Sequence, residues 1–247
     1  MNLLLLGTSG YHPTDDRQTA CLMLPEIGWL LDAGTAMFRV RRHLQTDQLD
    51  IFLTHAHLDH IIGLTYLFSI LAGPQAHRTV RVHGLAETLE AAAEHLFAPA
   101  LFPALPPLTW VPLQGPVAVP GGGTLDSFPL QHPGGSIGYR LDLPSGSLAY
   151  VTDTTADPQA DYVDRIRGVD LLIHECFFPD GNEQQARETG HSCASQVARV
   201  AQQAGVGRLV LTHLHPLEDP ADPVGIRNLQ AIFPQTTIGT DGLSCDF

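Results

Sequence analysis

The chain has 247 residues, of which 44% are hydrophobic and 16% are charged. This is the composition of an ordinary globular protein that can bury a sizeable core. The net charge is -13 and all 13 basic residues are arginine, which argues against a nucleic-acid scaffold because such proteins carry a basic face.

The sequence shows no second domain, and no apolar run reaches membrane-spanning length. The start lacks the basic and apolar regions of a signal peptide. The four cysteines are scattered, with no C-x-x-C pair, so a disulfide framework is not expected. We therefore expect a single cytoplasmic domain over residues 1–247. Its acidity still permits a small anionic substrate, provided that bound divalent ions supply positive charge.

Short apolar runs between turns predict strands in the first part of the chain. The predicted strands are 3–6, 20–24, 28–31, 49–53 and 79–83. Helices are predicted at 36–44, 61–71 and 87–97, with 61–71 read as one long core helix. The apolar, proline-rich segment 98–107 cannot be helical throughout. We expect a loop packed on the body, with a dimer contact or an active-site rim as the alternatives.

The segment between the strand at 49–53 and the helix at 61–71 is rich in groups that bind metals. It reads Thr54-His55-Ala56-His57-Leu58-Asp59-His60, and imidazole and carboxylate suit zinc and similar divalent ions. His55 and His57 lie two apart on extended chain and point the same way, whereas Asp59 and His60 are adjacent and expected to diverge. Ligands in two directions predict two metal ions. A polar loop with solvated histidines is the alternative.

The second half of the chain again predicts strands and helices in turn. The predicted strands are 108–111, 117–119, 125–130, 137–143, 147–151, 169–173, 209–211, 236–238 and 243–245, and the predicted helices are 192–204 and 224–232. Several strands, including the one before the histidine-rich segment, end in a polar residue, at His55, His132, Asp153 and His213. His174-Glu175 follows another strand. Polar residues repeated at strand ends predict one shared rim.

These residues complete two ligand sets. His132 is the best third ligand for His55 and His57. His213 fits beside Asp59 and His60. The carboxylate of Asp153 has two oxygens and can bridge both ions. Both sets suit zinc and leave room for a bridging hydroxide; manganese and iron remain compatible. Taken alone, His132 is equally a loop histidine and Asp153 a turn or cap residue.

The order His55-x-His57-x-Asp59-His60, then His132, Asp153 and His213, resembles the metallo-β-lactamase superfamily of two-metal hydrolases. The resemblance implies an α/β fold, an αββα sandwich of two mixed sheets flanked by helices. Within the superfamily, the chain is similar to the ribonuclease Z branch. That likeness rests on further motifs along nearly the whole chain: Leu6-Gly7-Thr8, Leu31-Asp32-Ala33-Gly34, Thr152-Asp153-Thr154, His174-Glu175 and Gly190-His191-Ser192.

The resemblance also implies roles for residues outside the ligand sets. It implies that Glu175 orients His191, that His191 assists the reaction beside Asp59, and that the protein is a homodimer. These roles make chemical sense, because a bridging water acidified by two cations supplies hydroxide near neutral pH, and His191 held by Glu175 can act as general acid. The alternative is that His191 merely caps a helix and Glu175 is a loop acid.

The chain departs from ribonuclease Z in ways that bear on the substrate. The family's long transfer-RNA-binding arm lies between the positions of His132 and Asp153, where this chain has only a short hairpin. Leu214-His215-Pro216 stands where the family has a serine-containing segment. We therefore expect a phosphodiesterase acting on a small, cyclic or nucleotide-like diester. The alternatives are a transfer RNA 3′-processing endoribonuclease, a lactone, thioester or β-lactam hydrolase using the same metal site, and a non-catalytic metal-bound module.

Overall fold

The computed structural model describes residues 1–73, 78–219 and 221–247. The chain forms two compact units. The first unit comprises Met1–Gln114 and Thr240–Asp246, and the second comprises Gly115–Gly239 with Phe247. The interpretation of residues 1–247 as one domain stays a prediction. No helix in the described ranges is both long and apolar enough to cross a membrane.

The strands divide evenly between the two units, and most of them agree with the predicted strands to within about two residues. Within the described ranges they are β1 (Asn2–Gly7), β2 (Cys21–Leu24), β3 (Trp29–Leu31), β4 (Gln48–Phe52), β5 (Thr79–Gly84), β6 (Thr109–Pro112), β7 (Val117–Ala118), β8 (Thr124–Leu130), β9 (Ser136–Leu143), β10 (Gly146–Val151), β11 (Leu171–Glu175), β12 (Arg208–Thr212), β13 (Thr236–Ile238) and β14 (Ser244–Asp246).

The helices are short, except for one in the second unit. Those described are α1 (Leu58–Ile61), α2 (Leu67–Ile70), α3 (Ala86–Ala91), α4 (Tyr162–Arg165), α5 (Glu183–Thr189), α6 (Ala194–Ala204) and α7 (Ile226–Ile232). The described part of the first unit also contains the 3-10 helices Thr35–Arg42 and Ile62–Tyr66 and the π-helical turn Ala92–Leu96.

The first unit is built on a seven-stranded mixed sheet in the order β14-β1-β2-β3-β4-β5-β6. Strands β14, β1, β2 and β3 pair antiparallel, and β3, β4, β5 and β6 pair parallel. Helical segments pack against it through a buried apolar cluster that includes Met37, Ile51, Leu64 and Val82. Since β3 and β4 are parallel neighbours, their carboxyl ends lie at the same edge of the sheet.

The prediction of one continuous helix over 61–71 is wrong, because the segment is divided into α1, a 3-10 helix and α2. The Gly63 amide donates to the Ala33 carbonyl at 2.7 Å instead of continuing the helical ladder. A Cβ at residue 63 would lie 2.3 Å from the Gly34 oxygen and 2.4 Å from Met37 Cβ. Close packing of two backbone segments therefore redirects the chain directly after the histidine-rich loop.

Segment 98–107 is irregular and lies partly on the body of the first unit. Phe102 packs against the buried cluster, whereas Leu101 and Leu105 are 75% and 68% exposed. The expectation of a loop packed on the body is confirmed for Phe102. The dimer contact and the active-site rim stay predictions.

The second unit is built on a seven-stranded mixed sheet in the order β13-β12-β11-β10-β9-β8-β7. Strands β7 to β10 pair antiparallel and β10 to β13 pair parallel. Strands β8, β10, β11 and β12 therefore run in one direction and end at one edge. The predicted hairpin of β9 and β10 is confirmed, with residues 144 and 145 between the strands.

Helix α6 covers this sheet with one apolar face. Ala194, Val197, Ala201 and Ala204 recur at helical spacing and are buried in the main cluster of the unit. Helices α4 and α5 were not expected from the sequence. Only Ala186 of α5 is buried, so the hydrophobic pattern gives little signal there. Two mixed sheets flanked by helices confirm the predicted α/β class.

Candidate metal centre

The histidine-rich loop of the first unit gathers its side chains into one cluster. The ring of His55 lies 4.5 Å from that of His57 and 4.2 Å from that of His60, measured between centroids. Nε2 of His60 lies 3.4 Å from Oδ2 of Asp59. The prediction that Asp59 and His60 diverge is therefore wrong. The ligand atoms of His55 and His57 fall in one potential metal-binding group, and those of Asp59 and His60 fall in another.

Asp32 explains the orientation of His60. The carboxylate follows β3, the parallel neighbour of β4, and it is fully buried. Nδ1 of His60 lies 2.9 Å from Asp32 Oδ2. An ionised Asp32 accepts the Nδ1 proton, so the lone pair of His60 is at Nε2, the atom beside Asp59.

Thr54 extends the same hydrogen-bond chain to His55. Its amide and hydroxyl donate to Asp32 Oδ1 at 2.8 and 2.9 Å. The Thr54 oxygen lies 3.0 Å from His55 Nδ1 and accepts that nitrogen's proton, which leaves the lone pair of His55 on Nε2. Sequence reasoning named Asp32 only as part of a family motif. An acid at the end of a strand next to the histidine-rich loop was the available signal.

Asp59 is oriented from a different loop. The backbone amide of Tyr11 donates to Asp59 Oδ2 at 2.8 Å. Tyr11 adopts a left-handed conformation, with φ 64°, and its side chain is 75% exposed. The loop is anchored at Asp241, whose carboxylate accepts hydrogen bonds from the Thr8 hydroxyl and the Gln18 amide at 2.7 Å each.

In the second unit, His132, Asp153 and His213 follow β8, β10 and β12 at the shared sheet edge. Nε2 of His213 lies 3.2 Å from Asp153 Oδ1, and Nε2 of His132 lies 3.6 Å from Oδ2 of the same carboxylate. Nδ1 of His132 lies 2.9 Å from the Gly190 carbonyl, which accepts its proton. One imidazole thus faces each oxygen of Asp153, through its Nε2 atom.

Glu175 and His191 form a hydrogen-bonded pair in the same unit, in which only Glu175 is fully buried. Nδ1 of His191 lies 3.1 Å from Glu175 Oε1. The Thr154 amide donates to Oε1 at 2.9 Å, and the amides of Phe177 and Ser192 donate to Oε2 at 3.2 and 3.3 Å. These amides hold a fully buried carboxylate in one orientation, and it fixes the His191 ring in turn.

His191 also lies beside two predicted ligands. One ligand atom each from His191, His213 and Asp153 lie within 4.8 Å of one another. The side chain of His191 is 13% exposed, so a group from solvent can reach it. This position suits a residue that exchanges a proton with a molecule bound near Asp153.

The sequence did not predict that Phe177 would contact the histidine rings of this unit. Its ring stacks on His191 at 4.5 Å and lies 5.6 Å from His213 and 4.6 Å from His215, between centroids. The aromatic ring limits how the imidazoles can turn. An apolar residue two positions beyond a strand carries no signal that would set it apart from a core residue.

His174 precedes Glu175 and was considered with it in the sequence analysis. Its side chain is not part of the cluster of Asp153, His191 and His213. His174 and Glu175 both lie within β11 instead of following it. Nε2 of His174 lies 3.1 Å from the Tyr162 hydroxyl. Burial lowers the pKa of His174 below its usual value, so the ring is neutral and structural at neutral pH.

Backbone strain coincides with this chemistry. Among the described residues, the non-glycine residues with positive φ are Tyr11, Asp32, Asp153 and His213. Two are predicted ligands, one orients His60, and one donates to Asp59. Such conformations persist where the surroundings over-determine them, and they cluster at functional sites.

The donor set of each unit fits divalent ions. Nδ1 of His55, His60 and His132 faces an oxygen that accepts its proton, while Nε2 of His60, His132 and His213 lies within 3.6 Å of a carboxylate oxygen. Metal-binding histidines in proteins show this arrangement. Imidazole nitrogen with a few carboxylate oxygens suits zinc and related ions better than magnesium or calcium.

Comparison with known proteins decides the family. A model described as the beta-lactamase superfamily domain matches residues 29–214. The chain belongs to the β-lactamase superfamily. Ribonuclease Z of Acaryochloris marina (strain MBIC 11017) is 31% identical over 309 aligned positions, which cover 99% of this chain and 96% of the relative. The chain is thus a member of the ribonuclease Z-like branch, and the predicted family and metal-dependent hydrolase class are confirmed.

Solved structures agree on the fold. The metallo-beta-lactamase fold protein YhfI from Bacillus subtilis has a TM-score of 0.77 at 20% identity, covering 99% of this chain and 98% of that one. Human tRNase Z, short form, has a TM-score of 0.75 at 21% identity, covering 100% and 99%. The predicted metallo-β-lactamase fold is therefore confirmed. The prediction of divalent-metal binding is supported by the family match and by the groups of His and Asp ligand atoms.

Proposed function

We propose that this protein is a two-metal phosphodiesterase that hydrolyses a small, cyclic or nucleotide-like diester. The observation that carries the proposal is the hydrogen-bonded Glu175–His191 pair: one imidazole nitrogen of His191 lies within 4.8 Å of the ligand atoms of Asp153 and His213. A phosphodiester needs a proton for its leaving oxygen, and this pair is suited to provide one. Relatives named ribonuclease Z support the same bond type.

In this proposal the ligand sets of the two units act together. His55, His57 and His132 would hold one ion, Asp59, His60 and His213 would hold the other, and Asp153 would be a ligand of both. The family model matches through both units, which supports this assignment. Zinc is the proposed metal from the donor set, with manganese and iron as alternatives. When bound, the ions supply an acidified water and neutralise the nonbridging oxygens.

Two side chains then carry the remaining chemistry. Asp59, held by the Tyr11 amide, orients the attacking water. In the reacting state His191 carries a proton on both ring nitrogens: Nδ1–H donates to Glu175, whose negative charge stabilises the imidazolium, and the Nε2 proton goes to the leaving oxygen. The amides of Thr154, Phe177 and Ser192 keep Glu175 in place during this transfer. The products are a phosphomonoester and an alcohol.

Charge and chain length support a small substrate. The net charge is -13 without a single lysine, and a polynucleotide needs cationic contacts to its phosphates. The alignment with the Acaryochloris ribonuclease Z has 309 positions, more than this chain has residues, so the relative contains residues without a counterpart here. The transfer RNA 3′-processing activity indicated by the relatives' names is the second candidate. We place the protein in the cytoplasm as a homodimer.

The test compares four substrate classes with one purified, metal-loaded sample. The substrates are bis(p-nitrophenyl) phosphate, a chromogenic lactam, a thioester and a precursor transfer RNA. Turnover of the diester with little cleavage of the RNA is expected. Turnover of the lactam or thioester without diester cleavage would replace the phosphodiesterase by a carbonyl hydrolase. Efficient RNA processing at physiological salt would favour the second candidate.

The role of His191 is tested with His191→Ala on two diesters. Ethyl glyceryl phosphate releases an alkoxide that needs a proton, and its kcat should fall about 10²- to 10⁴-fold. Bis(p-nitrophenyl) phosphate releases a phenolate that leaves without one, so its loss should be much smaller. The control is His95→Ala, an exposed histidine of the first unit, which should retain full activity. Equal losses on both diesters would exclude His191 as the general acid.

A further inference from the structure

A cavity of about 190 Å³ opens beside His191 in the second unit. Its wall comes from the loop after β10, from α5 and from α6. The polar residues that line it are Thr155, Asp157, Glu183, Arg187, His191 and Gln196. No residue of the cavity other than His191 belongs to the ligand sets or the proton-transfer pair described above.

His191 joins the cavity to the reacting centre. Its ring is part of the cavity wall, and one of its nitrogens lies within 4.8 Å of the ligand atoms of Asp153 and His213. A group that receives a proton from His191 is therefore next to the cavity. In a phosphodiester, that group is the leaving oxygen, and the rest of the leaving alcohol extends from it.

The cavity wall carries more negative than positive charge. Asp157 and Glu183 face a single cation, Arg187. Both carboxylates are held by backbone amides, from Gln159 to Asp157 at 2.8 Å and from Gly181 to Glu183 at 2.9 Å. The negative charge also acts on the nearby thiol of Cys193. Burial and the charges of Glu183 and Asp180 raise the pKa of this thiol to about 11.

This lining selects against two kinds of occupant. A further phosphate would face two carboxylates and gain only one cation, so an oligonucleotide leaving group is disfavoured. An apolar group would leave the carboxylates, the guanidinium and the Gln196 amide without the hydrogen bonds that water gives them. An uncharged group with several hydroxyls satisfies both the acceptors and the donors.

We propose that this cavity binds the leaving alcohol of the diester and that this alcohol is an uncharged polyol of glycerol or sugar size. The inference rests on the proposed phosphodiesterase function and deepens it. Water oxygen forms the new bond to phosphorus, and the bond from phosphorus to the polyol oxygen breaks. The polyol oxygen takes the proton of His191. A phosphomonoester remains on the other side.

Ethyl glyceryl phosphate tests this directly, because one molecule offers two leaving groups. Loss of glycerol leaves ethyl phosphate, whereas loss of ethanol leaves glycerol phosphate. Chromatography with mass detection measures the ratio of the two phosphomonoesters from the metal-loaded enzyme. We expect ethyl phosphate to predominate. The second substrate is ethyl glyceryl phosphate with an additional phosphate on its glycerol. Its kcat/KM should be lower than that of ethyl glyceryl phosphate by about tenfold or more.

Variants of the cavity give the second readout. Gln196→Ala and Arg187→Ala should each lower the ratio of ethyl phosphate to glycerol phosphate by about two- to tenfold, the effect of one lost hydrogen bond. Glu183→Gln and Asp157→Asn keep their acceptor oxygens but should relieve the penalty on the second phosphate. Glu188→Gln is the matched control, because Glu188 lies on α5 but does not line the cavity. A melting temperature for each variant verifies that it folds.

The outcomes separate the two proposals. Equal release of glycerol and ethanol, or a ratio that the cavity variants leave unchanged, would overturn the leaving-group assignment. Cleavage of bis(p-nitrophenyl) phosphate with no glycerol released would overturn it too, while the phosphodiesterase function stands. A metal-loaded enzyme that cleaves neither diester would overturn the proposed function and this inference with it.

Discussion

At the scale of single residues, buried carboxylates determine which nitrogen of each histidine carries the proton. Asp32 accepts hydrogen bonds from both groups of Thr54 and from Nδ1 of His60. Thr54 in turn accepts from Nδ1 of His55. One carboxylate thus keeps the lone pair on Nε2 in two predicted ligands. Such residues act on the metal through its ligands, and their loss typically lowers metal affinity.

Asp32→Asn is expected to weaken metal binding about 10- to 100-fold. The asparagine amide would donate to His60 Nδ1, which moves the proton to Nε2 and removes the lone pair from the metal-facing side. Competition with a chromogenic chelator measures the affinity. Asp50→Asn is the control, since it also removes a buried carboxylate of the first unit but is expected to leave metal affinity unchanged. Equal affinity of Asp32→Asn and wild type would contradict this role.

Asp50 also makes a prediction about pH. Burial alone would raise the pKa of its carboxyl, but hydrogen bonds from His83, Arg81 and Gln48 outweigh burial and hold the pKa at about 2. The folded value lies below the unfolded value of about 3.9. The stabilisation is therefore present above pH 4 and is lost as pH falls through 2. It amounts to about 2.5 kcal/mol at pH 7.

Urea unfolding of wild type and Asp50→Asn measures this contribution. The difference in unfolding free energy should shrink by about 1 kcal/mol between pH 7 and pH 3, because the carboxylate is protonated first in the unfolded chain. A difference that stays constant over that range would show that the hydrogen bonds do not depress the pKa of Asp50.

At the scale of elements, strand ends were the most informative part of the sequence. Each polar residue that follows β4, β8, β10 or β12 was predicted to lie at a strand exit, because apolar runs mark strands and the next residue leaves the sheet. The elements that the sequence predicted poorly were those without an apolar face. Helix α5 is capped at its C-terminus by Gly190, whose left-handed φ of 75° is typical of a helix end, and this glycine was the best sequence signal of the helix.

The division of segment 61–71 shows what a hydrophobic pattern omits. Apolar content predicted one helix, but the pattern contains no information on the approach of another backbone segment. Gly63→Ala tests this explanation. Its Cβ would meet the Gly34 oxygen and Met37, and overpacking of this kind costs about 1–3 kcal/mol. Urea unfolding should show that loss.

Ser69→Ala is the control for Gly63→Ala, since Ser69 is an exposed residue of the same segment. Its unfolding free energy should stay within about 0.5 kcal/mol of wild type. A Gly63→Ala protein with wild-type stability would mean that the glycine is not what divides the helix.

At the scale of the whole molecule, the two sheets share one topology. Each consists of antiparallel strands followed by parallel strands. In each, the strand at the junction, β3 or β10, is followed by an aspartate in a left-handed conformation, Asp32 or Asp153. The sequence indicated Asp153 through its family motif and its position after a strand. It gave no role to Asp32, because a role as hydrogen-bond acceptor depends on which strands are neighbours.

The same limit applies to the contacts of Phe177 and to the cavity beside His191. Both depend on β11, α5 and α6 lying close together at one sheet edge. A local sequence pattern contains no information on which separate elements become neighbours. The grouping of these His and Asp side chains was predictable, since imidazole and carboxylate in strand-exit loops are rare enough to stand out. Specificity was not, because cavity walls are made of ordinary polar residues.

We propose above that this protein binds two divalent ions and that Asp153 is a ligand of both. Elemental analysis by mass spectrometry of wild type and Asp153→Ala, with exposed Asp164→Ala as control, tests it most directly. We expect about two ions per chain in wild type and in the control, and fewer than one in Asp153→Ala. A metal-free wild type, or an Asp153→Ala protein that keeps both ions, would contradict the claim.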